Sequence, residues 1–256
     1  MKLAISGKGG VGKTTVASAL AKLFAQDGRQ VYAIDADPDA CLAAGLGIDI
    51  DAFEAQKPLV AMKTVVDARE GGNGAFFSLN PKVDDLLDEY CIQEGNIRFM
   101  RMSGIKNGGE ACFCRENTFL SAVVSALLLD QNDVVIMDMG AGIEHLSRGT
   151  ARGVDLMLVV VEPSRNSINT ARSVYRMAKD LGIEKVKVIA NKIRNEQDRA
   201  FIAQQFPAEH IAGFIDFDDS VWNSAMDDVH NQVTTGQLYD RISNIRQKIV
   251  EEVGEI

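Results

Sequence analysis

The 256-residue chain is 46% hydrophobic and 25% charged and carries a formal net charge of -9. That is an ordinary globular mixture, long enough for one large domain with a substantial core. The acidic balance argues against broad contact with nucleic acid, which needs clustered Lys and Arg against phosphates.

The opening M-K-L-A-I-S-G-K-G-G lacks the apolar run and cleavage site of a secretion signal, and no later apolar run is long enough to span a bilayer. A cytoplasmic protein with no membrane anchor is expected. Lys2–Ser6 reads as a short apolar strand. A glycine-rich turn follows, then a helical pattern over 15–26 closed by Gly28, and a second strand over 31–34 that ends in D-A-D-P-D. Residues 51–109 are rich in Gly, Asp and Glu, with G-G-N-G at 71–74 and K-N-G-G at 106–109, and read as an irregular insertion of loops and short helices. Beyond them, the apolar runs at 134–137, Leu156–Val161 and 186–190 read as buried strands, while 120–129 and 167–181 carry apolar residues at helical spacing. Strands apolar on both faces and alternating with helices predict an α/β fold. The expected architecture is a mostly parallel central sheet flanked by helices on both faces, in one domain over 1–256.

The sharpest motif is G-K-G-G-V-G-K-T, Gly7 to Thr14, a full match to G-x-x-x-x-G-K-[ST]. A strand before it and a helix after it make a P-loop NTPase the expected fold. The backbone of Gly7, Lys8, Gly9, Gly10, Val11 and Gly12 is expected to wrap a phosphate chain with N–H groups, at the positive end of the following helix. Lys13 should reach the β- and γ-phosphates of ATP or ADP, the Thr14 hydroxyl should ligate Mg²⁺, and Thr15 should lie at the α-phosphate.

The second lysine, Lys8, gives the form K-G-G-V-G-K-T. It resembles the deviant Walker A motif of the MinD/ParA-type ATPases, a class that includes the nitrogenase iron protein. The resemblance extends over most of the chain in motif order. It implies ATP hydrolysis, a nucleotide-dependent homodimer, and a Lys8 that reaches the nucleotide of the partner subunit. Asp35 to Asp39, D-A-D-P-D, resembles switch I of that class. Asp37 matches the carboxylate that orients the attacking water, Asp39 is the alternative, and Asp35 is expected to hold the loop or lie near Mg²⁺. V-V-I-M-D-M-G-A-G, Val134 to Gly142, resembles Walker B with switch II. Asp138 would hold Mg²⁺ through its water shell, and Gly140 would offer an N–H to the γ-phosphate. Asn191, after the strand at 186–190, and Asp216 with Phe217 in I-D-F-D match the base-contacting loops; an Asn amide supplies a donor and an acceptor together for an adenine edge.

Four cysteines stand at positions 41, 91, 112 and 114. Cys41 and Cys91 are isolated and are expected in the core. Cys112 and Cys114 form C-F-C, a weak motif by itself. Residues two apart in an extended segment share one side. A twofold dimer would set two such pairs face to face, offering four thiolates to one transition metal, Zn²⁺ in tetrahedral or Ni²⁺ in square-planar geometry. Within the ATPase class, C-x-C in this loop resembles the CooC branch, the nickel-insertion accessory ATPases of carbon monoxide dehydrogenase maturation. That resemblance implies carbon monoxide dehydrogenase as client. Two other readings stay open: a redox ATPase with an Fe–S cluster, although no cysteine follows switch II as in the nitrogenase iron protein, and a nucleotide-switched positioning protein. The tail R-Q-K-I-V-E-E-V-G-E-I lacks the basic amphipathic character of a membrane tether. His145, His210 and His230 are dispersed and are assigned no ligand role.

Overall fold

The computed structural model describes residues 1–37, 41–59, 61, 89–102, 133–140, 153–220 and 236–254. Eight strands form one sheet: β1 (Lys2–Ser6), β2 (Val31–Ala36), β3 (Ile92–Glu94), β4 (Ile97–Arg101), β5 (Val134–Met139), β6 (Leu156–Val161), β7 (Val186–Ile193) and β8 (Ile211–Asp216). Their order is β3-β4-β2-β5-β1-β6-β7-β8, parallel throughout except for the β3–β4 hairpin. The described helices are α1 (Lys13–Gln26), α2 (Leu42–Leu46), α3 (Ile50–Ala55), α4 (Arg165–Leu181), α5 (Glu196–Ala203) and α6 (Gln237–Val253).

Two apolar cores, one on each side of the sheet, follow from the alternation of strand side chains. Leu3, Ile5, Ile136, Leu158 and Val160 face α1 and α6, which contribute Val16, Leu20, Phe24, Ile242, Ile245 and Ile249. Ala4, Val135, Met137, Val159 and Val161 face α4, which contributes Ile168, Ala171, Val174 and Ala178 at helical spacing. Strands β1, β5 and β6 are buried along their whole length, as a parallel sheet covered on both faces requires.

Three expectations are corrected. Residues 92–101 are not loop or short helix: β4 pairs in parallel with β2, and β3 folds back on it. The signal was the two-residue Gly95-Asn96 turn between short strands, with Gly95 at φ 56. The strands also run past their apolar stretches. The β2–β5 ladder continues to Ala36 and Met139, so Asp35 and Asp138 lie inside strands and side by side in register. Cys41 is exposed and Cys91 only partly buried. Cys41 is the N-cap of α2, outside the stripe Leu42, Ala43 and Leu46 that this helix buries. The helical pattern at 120–129 lies outside the described residues.

Candidate functional site

Strand β1 lies between β5 and β6; the connection after β1 runs to β2 on one side and that after β6 runs to β7 on the other, so the winding of the sheet reverses between these two neighbours. Ligands of open α/β sheets bind at such a switch point, beyond the carboxyl ends of the strands. The phosphate loop starts there. Gly7 lies flush on β6: a Cβ at this position would come within 2.3 Å of the Val160 carbonyl oxygen, and its φ is 150. Gly12, at φ 96, is the N-cap of α1. No side chain caps that helix and no acidic residue stands in its first turn, which leaves its N–H groups and positive end turned to an anion.

The cationic and acidic groups meet over this loop. Lys13 is buried; its Nζ donates to the Lys8 carbonyl at 3.5 Å and lies 3.9 Å from Asp37 Oδ2. Thr14 Oγ1 donates to Asp138 Oδ2 at 2.6 Å. Asp138 is fully buried, and its other oxygen, Oδ1, has no hydrogen-bond partner. A hydroxyl beside carboxylate oxygens, one of them orphaned, is a hard-oxygen donor set that fits Mg²⁺. Ser6 Oγ, at the end of β1, donates to the Gly140 carbonyl at 3.4 Å and ties the start of the switch II segment to the loop.

Asp35 accepts the N–H of Leu42 at 2.8 Å and that of Asp37 at 3.2 Å, so this buried carboxylate pins both described ends of the switch I segment. Burial pushes its pKa from the ordinary 3.8 up to about 7, and Asp138 beside it pushes in the same direction. Burial likewise lifts Asp138 to about 6, against the Thr14 hydrogen bond and the Lys13 charge. A carboxylate with a raised pKa holds its proton in the folded chain after the unfolded chain has lost it. Asp35 therefore withdraws stability as pH climbs from about 4 to about 7. Asp35→Asn should gain in melting temperature relative to wild type between pH 4.5 and pH 7.5. A difference between the two proteins that does not change with pH would refute the burial argument.

Beyond the loop, a cavity of about 200 Å³ is lined by Gly10, Gly12, Thr15, Asn191, Asp216 and Phe217. The structure thus brings the three residues expected at the base to one hollow beside the phosphate loop. Asn191 Nδ2 donates to the Val11 carbonyl at 2.8 Å, and its Oδ1 accepts the Lys192 N–H at 2.9 Å. Asp216 holds Arg199 and Arg241, each at 2.9 Å, and the Arg194 guanidinium lies 4.5 Å over the Phe217 ring. These arginines brace the cavity wall and carry no motif signature. Glu162, at the end of β6, was missed as well: Lys8 Nζ lies 3.4 Å from its Oε1. The available signal was a charged residue at the carboxyl end of a strand next to β1. Lys192, near the end of β7, was missed too; it sits at φ 60, a conformation that costs a residue with a Cβ about 1–2 kcal/mol.

Cys112, Cys114, Asp39, His145 and His230 lie outside the described residues. His210 stacks on Tyr175 at 5.9 Å, away from the loop. Among the described residues no helix is long and apolar enough to cross a membrane.

Residues 2–230 match the family model of the CobQ/CobB/MinD/ParA nucleotide binding domain. An uncharacterised ATP-binding protein of Methanocaldococcus jannaschii is 41% identical over 227 residues, 88% of this chain and 88% of the relative. The carbon monoxide dehydrogenase accessory protein CooC of Rhodospirillum rubrum is 37% identical over 224 residues, 86% of this chain and 85% of the relative. Among solved structures, the ParA family ATPase of Chlorobium tepidum superposes with a TM-score of 0.71 at 18% identity, covering 96% of this chain and 98% of that one, a likeness of fold. With the phosphate loop, the Thr14–Asp138 pair and the adjoining cavity in one place, the chain belongs to the CobQ/CobB/MinD/ParA family of nucleotide-binding proteins and is a P-loop ATPase of the MinD/ParA type.

Proposed function

We propose that this ATPase is a nucleotide-gated metal carrier, a single-domain cytoplasmic protein that dimerises and assists nickel insertion into carbon monoxide dehydrogenase. The observation that carries the reading is the 37% identity to the carbon monoxide dehydrogenase accessory protein over 86% of the chain. Within that likeness, C-F-C at 112–114 supplies the thiol pair that a metal carrier needs. Two such pairs across a twofold axis offer four sulfurs to one Ni²⁺ or Zn²⁺ ion, the cargo.

The chain's own residues carry the nucleotide chemistry. Gly7 to Gly12 cradle the phosphates with backbone N–H groups, and Thr15, Asn191, Asp216 and Phe217 receive the nucleoside end. Thr14 and, through water, Asp138 would hold Mg²⁺, which when bound supplies charge neutralisation on the phosphates. Lys13 faces the β- and γ-phosphates. An arriving γ-phosphate competes with Asp37 for its ammonium group, since the two now lie 3.9 Å apart. Asp37, released from Lys13, orients the attacking water and accepts its proton. Gly140 donates its N–H to the γ-phosphate, so hydrolysis loosens switch I and switch II together. Lys8 extends to the nucleotide of the partner subunit, and closure joins the two C-F-C pairs.

The test is molar mass by light scattering with Ni²⁺ or Zn²⁺, with and without ATP, on wild type and Cys112→Ala/Cys114→Ala. A wild type that dimerises with metal beside a variant that stays monomeric supports the carrier. Equal dimerisation of both, dependent on ATP alone, would leave a nucleotide-switched positioning protein. A brown colour after anaerobic reconstitution would favour an Fe–S redox ATPase.

A further inference from the structure

Two charged residues that none of the motifs assigns converge on the phosphate loop from the ends of neighbouring strands. Glu162 follows β6 directly. Its Oε1 lies 3.4 Å from Lys8 Nζ and accepts the Ser164 hydroxyl at 3.3 Å, while its Oε2 lies 3.9 Å from Lys192 Nζ. Its own N–H donates to Ser167 Oγ at 3.1 Å, so the first turn of α4 fixes the residue from behind. Lys192 belongs to β7, and its Nζ donates to the Gly10 carbonyl at 2.6 Å.

The backbone under Lys192 is built for this contact. Ala190 pairs with Phe214 and Ile193 with Asp216, so β7 spends one more residue than β8 over that stretch, a bulge at Asn191-Lys192. Bulges turn a side chain out of the strand alternation. Lys192 sits at φ 60, alone among the described non-glycine residues in having a positive φ. A lysine stays there only where its surroundings over-determine it, and the ammonium group seated on Gly10 is the determinant the structure provides.

We propose that Glu162 and Lys192 are positioning residues that clamp the tip of the phosphate loop for nucleotide in the single chain, before dimer closure draws Lys8 to the partner subunit. With Asn191 they hold the tip at three points: the Lys8 side chain, the Gly10 carbonyl and the Val11 carbonyl. In a trans peptide the carbonyl and the next N–H point in opposite directions. Anchoring the Val11 carbonyl on β7 turns the Gly12 N–H away from it, towards the phosphate side. Anchoring the Gly10 carbonyl fixes the peptide whose N–H closes the turn onto the Lys8 carbonyl at 3.4 Å. Glu162 is needed because Lys8 and Lys192 bring two like charges to one short loop, and a carboxylate between them removes the repulsion that would splay it. The same bulge places Asn191 at the base cavity, so the residues that receive the base also set the phosphate cradle. The clamp rests on nucleotide binding alone and not on the cysteine pair.

Glu162→Gln separates positioning from simple electrostatics by sign. Removing a negative charge beside a polyanion site would by Coulomb's law tighten nucleotide binding; loss of the clamp weakens it. Calorimetric titration of the full chain with Mg-ADP should give a Kd raised about threefold for Glu162→Gln and about fivefold to tenfold for Lys192→Asn, whose side chain tolerates the left-handed backbone but lacks the ammonium group. The double variant should bind no more weakly than Lys192→Asn within about a factor of two, because both act on one clamp. Lys192→Arg, which can still donate to the Gly10 carbonyl, should restore binding. Unchanged or tighter binding by Glu162→Gln, or losses that multiply in the double variant, overturn the proposal.

Discussion

Lys13→Ala is expected to lower ATP turnover by at least about 100-fold, because it removes a preorganised cation from the place where phosphoryl charge develops. Lys13 is the first residue of α1, buried, with its ammonium group held between the Lys8 carbonyl at 3.5 Å and Asp37 at 3.9 Å. Those two contacts fix its position before nucleotide arrives, so little reorganisation is left for the reaction itself. The fold should survive the change. Alanine is the best helix former, and the core facing α1 is built by Val16, Leu20, Leu23 and Phe24 rather than by Lys13. Circular dichroism and thermal melting should therefore stay close to wild type while phosphate release falls. Turnover within about fivefold of wild type would mean that another cation does this work, with Lys8 and Lys192 the nearest candidates.

Cys112→Ala/Cys114→Ala carries the second large expectation, loss of transition-metal binding. Wild type dialysed against Ni²⁺ or Zn²⁺ should retain about one ion per two chains, the ratio of a four-sulfur site shared across a twofold axis. The double variant should retain none above background, and each single variant, with two sulfurs left in the dimer, should bind far more weakly. Linkage supplies an independent check. If ATP tightens the metal site by closing the dimer, metal must tighten ATP by the same factor, about 5-fold to 150-fold for a typical coupling. That reciprocal gain should vanish in the double variant while its ATP affinity without metal stays that of wild type. A double variant that keeps metal at wild-type affinity sinks the carrier reading and leaves the ATPase untouched.

The two expectations draw on different parts of the molecule. Lys13 acts where three strands end together, and its partners are visible contacts. In the proposed carrier the cysteine pair acts across a second copy of the chain, a reading drawn from residue spacing and from the 37% identity to the accessory protein. Testing both separates the nucleotide engine from its cargo.

The chain's local chemistry was enough to write down the engine. Gly7 to Thr14 follow one another without a gap, and a loop that wraps phosphate with backbone N–H groups needs those glycines, that lysine and that hydroxyl in that order. The continuous apolar runs at 156–161 and 134–137 fixed a doubly covered parallel sheet, because only burial on both faces tolerates strands with no polar side. What local pattern could not supply was anything set by neighbours in space. The strand Ile97–Arg101 looked irregular because its partner β2 is distant in sequence and its own run is broken by two arginines. Asp35 reads as a residue of the switch I loop and Asp138 as a Mg²⁺-holding carboxylate just past its strand, since nothing in either segment reveals that the β2–β5 ladder runs on past them and raises both pKa values by burial. Glu162, Lys192, Arg199 and Arg241 carried no motif at all; their roles come from strand ends and a bulge that bring residues from four elements to one loop and one cavity. Sequence determined which groups could handle a nucleotide, because that chemistry is local. Tertiary structure alone decided which charges meet and which are buried, because distance and solvent exclusion belong to the folded chain.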